Sequence, residues 1–210
     1  SVLSKSSAIN RLSVARFFLF GSRDIWFVVA LPVFLSEILD WSDRTVGAFL
    51  ALWVIGYGIV QSSAPRILTL RGSAIDEVVA ARLWAFVLAV ISAVIATLVA
   101  LEAAVEVAIV AGLVIFGIVF ALNSSLHSYL VLAFADDDEV ALDVGFYYSA
   151  NAAGRLVGTL LSGVLYLWGG LPAAMWGATA FVVLTWLFAL RLPPLPTNVS
   201  VSLADVDGVD

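Results

Sequence analysis

Residues 107–133 read VAIVAGLVIFGIVFALNSSLHSYLVLA, and no Asp, Glu, Lys or Arg interrupts them. A bilayer core of ~30 Å is crossed by about 20 apolar residues in helix. So long an uncharged stretch belongs inside a membrane. Five more stretches of the same kind surround it, at 17–39, 46–64, 78–101, 144–168 and 172–192. The expected fold is therefore all-α, a polytopic membrane protein with six transmembrane helices. A six-helix domain at 16–192 would follow a segment at 1–15 and precede a disordered polar tail at 193–210.

Composition agrees with this outline. Of the residues, 62% are hydrophobic and 12% charged, against about 25% charged in soluble domains. Most of the exterior must face lipid. The connections carry helix-ending residues: Asp40-Trp41-Ser42-Asp43, Arg71-Gly72-Ser73, and Gly169-Gly170 before Pro172. Pro172 suits a first helical turn.

The net charge of −6 concentrates in Asp136-Asp137-Asp138-Glu139 with Asp143, and in the tail at Asp205, Asp207 and Asp210. These read as solvated loop and tail. Nucleic-acid binding would want a basic face instead. Cysteine is absent and His127 is the one histidine, so thiolate chemistry is excluded and no metal or cofactor is expected. No nucleophile–base constellation appears, so the chain reads as a non-enzyme.

Lys5, Arg11, Arg16, Arg66, Arg71, Arg82 and Arg191 fall on the side of the termini, against Arg44 alone in the opposite loops. The positive-inside rule then places both termini in the cytoplasm of a cell-membrane protein. The chain opens at Ser1 with no Met and no signal-peptide pattern, so further sequence is expected upstream.

Ionisable groups inside spans are expensive, roughly 2.5–3.5 kcal/mol each at a helix centre, and mark function or a buried partner. Arg23 and Asp24 are adjacent in the first span. Neighbours on a helix point about 100° apart, so a simple mutual pair is not expected. Arg23 is a candidate for holding an anion, and Asp24 for carrying a proton; the alternative is an interhelical ion pair. Arg155 shares a helix face with Asn151 and Tyr148. Its guanidinium fork suits phosphate or carboxylate, or a structural pair with Asp24. Asn123 and His127 are i,i+4 neighbours, with His127 a second proton candidate; plain cross-helix bonding is the alternative. Trp53, Tyr57 and Gln61 form a stripe that either packs or lines a cavity. Gly154, Gly158 and Ser162 recur every four residues, as small residues do where helices approach closely. Gly56-Tyr57-Gly58 would permit bending.

These features resemble one half of a major facilitator transporter, with six spans and a basic loop, APRILTLRG at 64–72, between the second and third. The loop lacks that family's usual Asp. Three stretches resemble the organoarsenical efflux permeases called ArsJ: RFFLFGSRDIWFVV at 16–29, GAFLALWVIGYGIVQ at 47–61, and GFYYSANAAGRLVGTL at 145–160. The resemblance runs over about 16–192 and matches the C-terminal half of such a protein. It implies an N-terminal half as partner and a small anionic substrate, 1-arseno-3-phosphoglycerate, whose export confers arsenate resistance. It also implies a functional partnership with a glyceraldehyde-3-phosphate dehydrogenase that makes this ester. The residues equally fit a transporter of another organic anion, such as a sugar phosphate or carboxylate, or a non-transporting structural membrane subunit.

Overall fold

Pro32 has no N–H to give, and its ring crowds the carbonyl four residues back, so a helix through it must open near Val28. In the computed structural model, which describes residues 4, 6–70, 76–135 and 140–195, it does. Helix α1 (Ser7–Phe27) ends there and α2 (Ala30–Glu37) resumes after a non-helical Val29. The freed N–H groups of Val29 and Ala30 both donate to Ser162 Oγ, at 3.1 and 3.0 Å. The helix that carries the first span is thus a broken rod, and it begins at Ser7, ahead of Phe17. Arg16, expected on the cytoplasmic flank, lies inside α1 and is buried.

Helices α3 (Asp43–Leu70), α4 (Glu77–Ala100), α5 (Val105–Phe134) and α6 (Val140–Ala189) follow. Every regular element among the described residues is helical, as expected. Five helical stretches are long and apolar enough to cross a membrane, with Ser7–Glu37 counted as one. The longest, α6, is two arms joined at Gly169 and Gly170, whose backbone is non-helical. Gly170 has φ 63°, a conformation that glycine adopts without steric penalty. A Cβ on Gly177 would run into Leu165 Cδ1. Twelve residues of straight helix would separate these positions by ~18 Å, so the arms fold back on each other. Pro172 sits in the first turn of the second arm. At ~1.5 Å per residue the shorter arm, 171–189, still spans roughly 28 Å. Among the described residues, the two arms and the other four rods give six.

Packing follows residue size. Where Gly154 and Gly158 face α1, backbones touch. A Cβ on Gly154 would strike the carbonyl of Phe17, and one on Gly158 would lie 2.5 Å from Gly21 O. The second arm closes on the other side of α1 with Phe181 against Gly21 and a Thr185 hydroxyl donating to Ala15 O at 3.3 Å. Helix α4 meets the second arm through Ser92 and Thr179, 2.9 Å apart. Asp76 caps α4 by accepting from Val78 N at 2.8 Å. Helix α3 rests mainly on α5, where Trp53 Nε1 donates to Leu113 O at 2.8 Å, while most of its surface stays exposed.

One end of the bundle is tied by polar links. Arg11 Nη1 donates to Arg191 O at 2.5 Å. Arg82 donates to Ala189 O and Leu192 O at 3.2 and 2.6 Å, satisfying carbonyls at the C-terminus of α6. Ser4 Oγ donates to Asp143 Oδ1 at 2.5 Å. Asp143 is therefore buried and bonded, not part of a solvated acidic loop. Lys5, Arg71-Gly72-Ser73, the run Asp136–Glu139 and the tail from Pro196 lie outside the described residues.

One other expectation changes. Helix α3 passes Gly56-Tyr57-Gly58 without a break and continues beyond Ala64, through Pro65, to Leu70. Trp53 is buried against α5 and Trp26, and it also lines an apolar groove between α3 and α5.

The double acceptor role of Ser162 gives a direct stability test. Ser162→Ala leaves two N–H groups without their partner at the break, at about 1–3 kcal/mol. The purified full-length protein should melt several degrees lower. A melting temperature within a degree of wild type would show that the break needs no side-chain acceptor.

Candidate functional site

Asp24 lies near the middle of the span Ser7–Glu37 and is 2% exposed. Two guanidiniums reach it. Arg23 Nη2 stands 2.5 Å from Asp24 Oδ1, with Nε donating to the same oxygen at 2.7 Å. Arg155 Nε, from the first arm of α6, donates to Oδ2 at 3.1 Å. The adjacent pair therefore does form. A long arginine side chain can fold back across the ~100° between neighbouring positions, and burial rewards it for doing so. Arg155 thus pairs with Asp24, the structural alternative weighed from the sequence.

The charges of the triad do not balance. Two positive groups share one carboxylate, leaving one net positive charge at mid-span. The side chain of Arg23 is 13% exposed, but that of Arg155 is 55% exposed. Arg155 reaches Asp24 through Nε. A half-exposed guanidinium facing lipid at this depth would be costly, so that surface borders water or another protein surface. Tyr148 is exposed on the same face, and Asn151 lies between them with its Oδ1 unpaired. The face expected from the 148, 151, 155 spacing is present.

The remaining candidates sit apart from the triad. Tyr57 stacks on Trp53 at 5.8 Å and tilts against Phe120 at 5.6 Å. Phe120 in turn lies 5.8 Å from the Arg23 guanidinium. Tyr57 also lines an apolar groove of about 410 Å³ between α3 and α5, which includes no residue of the triad. Asn123 and His127 are fully buried in α5, and none of their side-chain nitrogens or oxygens finds a hydrogen bond.

Sequence reasoning missed Arg16 as a buried group. It is seven residues before Arg23, so both share one face of α1, and that spacing was the available signal. Its Nη1 donates to Ser124 O and Oγ at 3.0 and 3.1 Å. Ser162 was legible as a small packing residue but not as the acceptor at the α1–α2 break.

The triad joins two guanidiniums and one carboxylate in the middle of the first span. No curated protein matches the chain. The family model of the Major Facilitator Superfamily matches residues 12–206. Together with the all-helical bundle and its charged mid-span triad, that match identifies a multi-pass membrane transporter, and the chain belongs to the Major Facilitator Superfamily.

Proposed function

We propose that the chain is one half of an alternating-access exporter for a small organic anion, bound between the halves at Arg155 and Arg23. The single observation that supports it most is the charge imbalance at mid-span: two guanidiniums, one carboxylate, and Arg155 half exposed. Asp24 then positions both arginines, with Tyr148 and Asn151 beside the anion. Transporters of this kind hold substrate near the midplane, at the interface of their repeats. The partner in this reading is an N-terminal half, and the basic residues favour cytoplasmic termini. Resemblance to the organoarsenical permeases makes 1-arseno-3-phosphoglycerate the specific substrate, supplied by a glyceraldehyde-3-phosphate dehydrogenase, with arsenate resistance as the outcome.

The test uses the full-length protein in an arsenate-sensitive host that carries the dehydrogenase. Arg155→Lys keeps the charge and loses the fork. Transport should fall about 30-fold or more, the equivalent of ~2 kcal/mol or above. The double change Asp24→Asn with Arg155→Gln keeps one net positive charge, on Arg23, but removes the fork. It should transport no better than Arg155→Gln. Normal transport by the double variant would reduce Arg155 to a structural partner. Full arsenate sensitivity despite export of another sugar phosphate or carboxylate would shift the substrate and leave the anion site standing.

A further inference from the structure

Arg16 is 4% exposed, and no Asp or Glu among the described residues lies within ion-pair distance of it. Its Nη1 is bonded to Ser124, while its buried Nε has no partner. The rings of Phe20 and Tyr147, with centroids 3.9 and 5.0 Å from its Cζ, offset part of the charge. They cannot supply a counter-ion.

The surroundings repeat the pattern. Arg16 meets Ser124, and four residues on along α1 Phe20 meets Phe120, four residues back along α5, with ring centroids 5.1 Å apart. The two helices therefore run antiparallel in this register. Three residues the other way, Ser13 comes level with His127, one turn from the Arg16–Ser124 contact. Arg16 is close enough for its charge to act on His127. The Tyr147 hydroxyl lies near Arg16 and Ser128 without bonding geometry to either. Ser13, Asn123, His127 and Tyr147 are each no more than 1% exposed, and each carries an unpaired side-chain polar atom.

One such orphan is common enough to ignore; five buried side chains, the cation among them, are not. Each unpaired group costs about 1–3 kcal/mol, and more if charged. Every one of the five has an N–H or O–H to donate. Water could satisfy those donors but would leave the guanidinium charge uncompensated. We infer that Arg16, Ser13, Asn123, His127 and Tyr147 enclose a second anion site, for one chloride-sized inorganic ion. Burial this complete excludes an organic ligand. The site is separate from the triad: Arg16 and Arg23 are seven positions apart along α1, about 10 Å of helix.

The experiment is thermal melting of the purified full-length protein in detergent, with chloride or bromide against gluconate at constant ionic strength. Chloride should raise the melting temperature saturably, by about 5–10 °C once it stands roughly a hundredfold above its dissociation constant. Ser13→Asp places a carboxylate one turn from Arg16 and should abolish the halide shift. Ser13→Asn, polar but uncharged, should keep it. Asn123→Asp is the second carboxylate variant should Ser13→Asp fail to fold. Arg155→Gln should leave the halide shift intact, which separates this site from the substrate site. No saturable shift in wild type overturns the inference. So does a shift that survives both carboxylate variants, or one that disappears with Arg155→Gln.

Discussion

Asp24→Asn is expected to accumulate at a small fraction of the wild-type level in the membrane, and the protein that does fold should not transport. The change removes the one carboxylate that faces two guanidiniums at mid-span. Removing one partner of a buried ion pair costs about 3–5 kcal/mol, because the other charge is left uncompensated. Here the exposure of Arg155 relieves part of that cost, so the lower end applies, on the order of a hundredfold in the folded ratio. Gel filtration of a fluorescently tagged full-length protein measures it. Pairing Asp24→Asn with Arg23→Gln should restore folding, since one net positive charge then remains as in wild type. A wild-type profile for Asp24→Asn alone would mean the triad carries little energy.

Gly154→Leu should have the largest structural effect. Even a Cβ at Gly154 would overlap the carbonyl of Phe17 and come within 2.8 Å of its Cα. Backbone cannot yield as a side-chain tip can, so the cost should exceed about 3 kcal/mol. The first arm of α6 would move off α1, carrying Arg155 away from Asp24 and Ser162 away from the α1–α2 break. Gly158→Ala should do the same more mildly. Gly145 and Gly163 are the controls, since a Cβ there meets nothing within 4 Å. Alanine at either should be neutral or slightly stabilising through helix propensity. Equal losses at Gly145 and Gly154 would point to a general intolerance of substitution, not to close helix packing.

The rods of this fold were legible because apolar runs longer than a bilayer need no tertiary information. Their interruptions were legible only in part. Pro32 forecasts an opening at Val28, yet nothing local to 28–30 says that Ser162, 132 residues on, fills it. Arg155 and Asp24 could be weighed as partners, and they pair, but the half-exposure of Arg155 was not legible in the sequence. Arg16 was misplaced for a different reason. A hydropathy window starting at Phe17 leaves it outside the span, although Ser7–Val14 continue the same helix. The Arg23–Asp24 pair was discounted from backbone geometry, where side-chain length decided it. For Asp143, the neighbouring acids gave the wrong context, since its partner is Ser4, 139 residues away.

The Arg11–Arg191 contact brings the start of α1 and the end of α6 together on one face. That is a statement of parity. An even number of rods returns the polypeptide to the side it left, so anything joined before Ser7 or after Ala189 begins on that same side. Two such units can be strung in series by a connector that never threads the bilayer, whatever its length. An odd count would force every joined unit to alternate its orientation. In this bundle, duplication and fusion are topologically free, and the bond between Arg11 and the Arg191 carbonyl marks the face on which the seam would run.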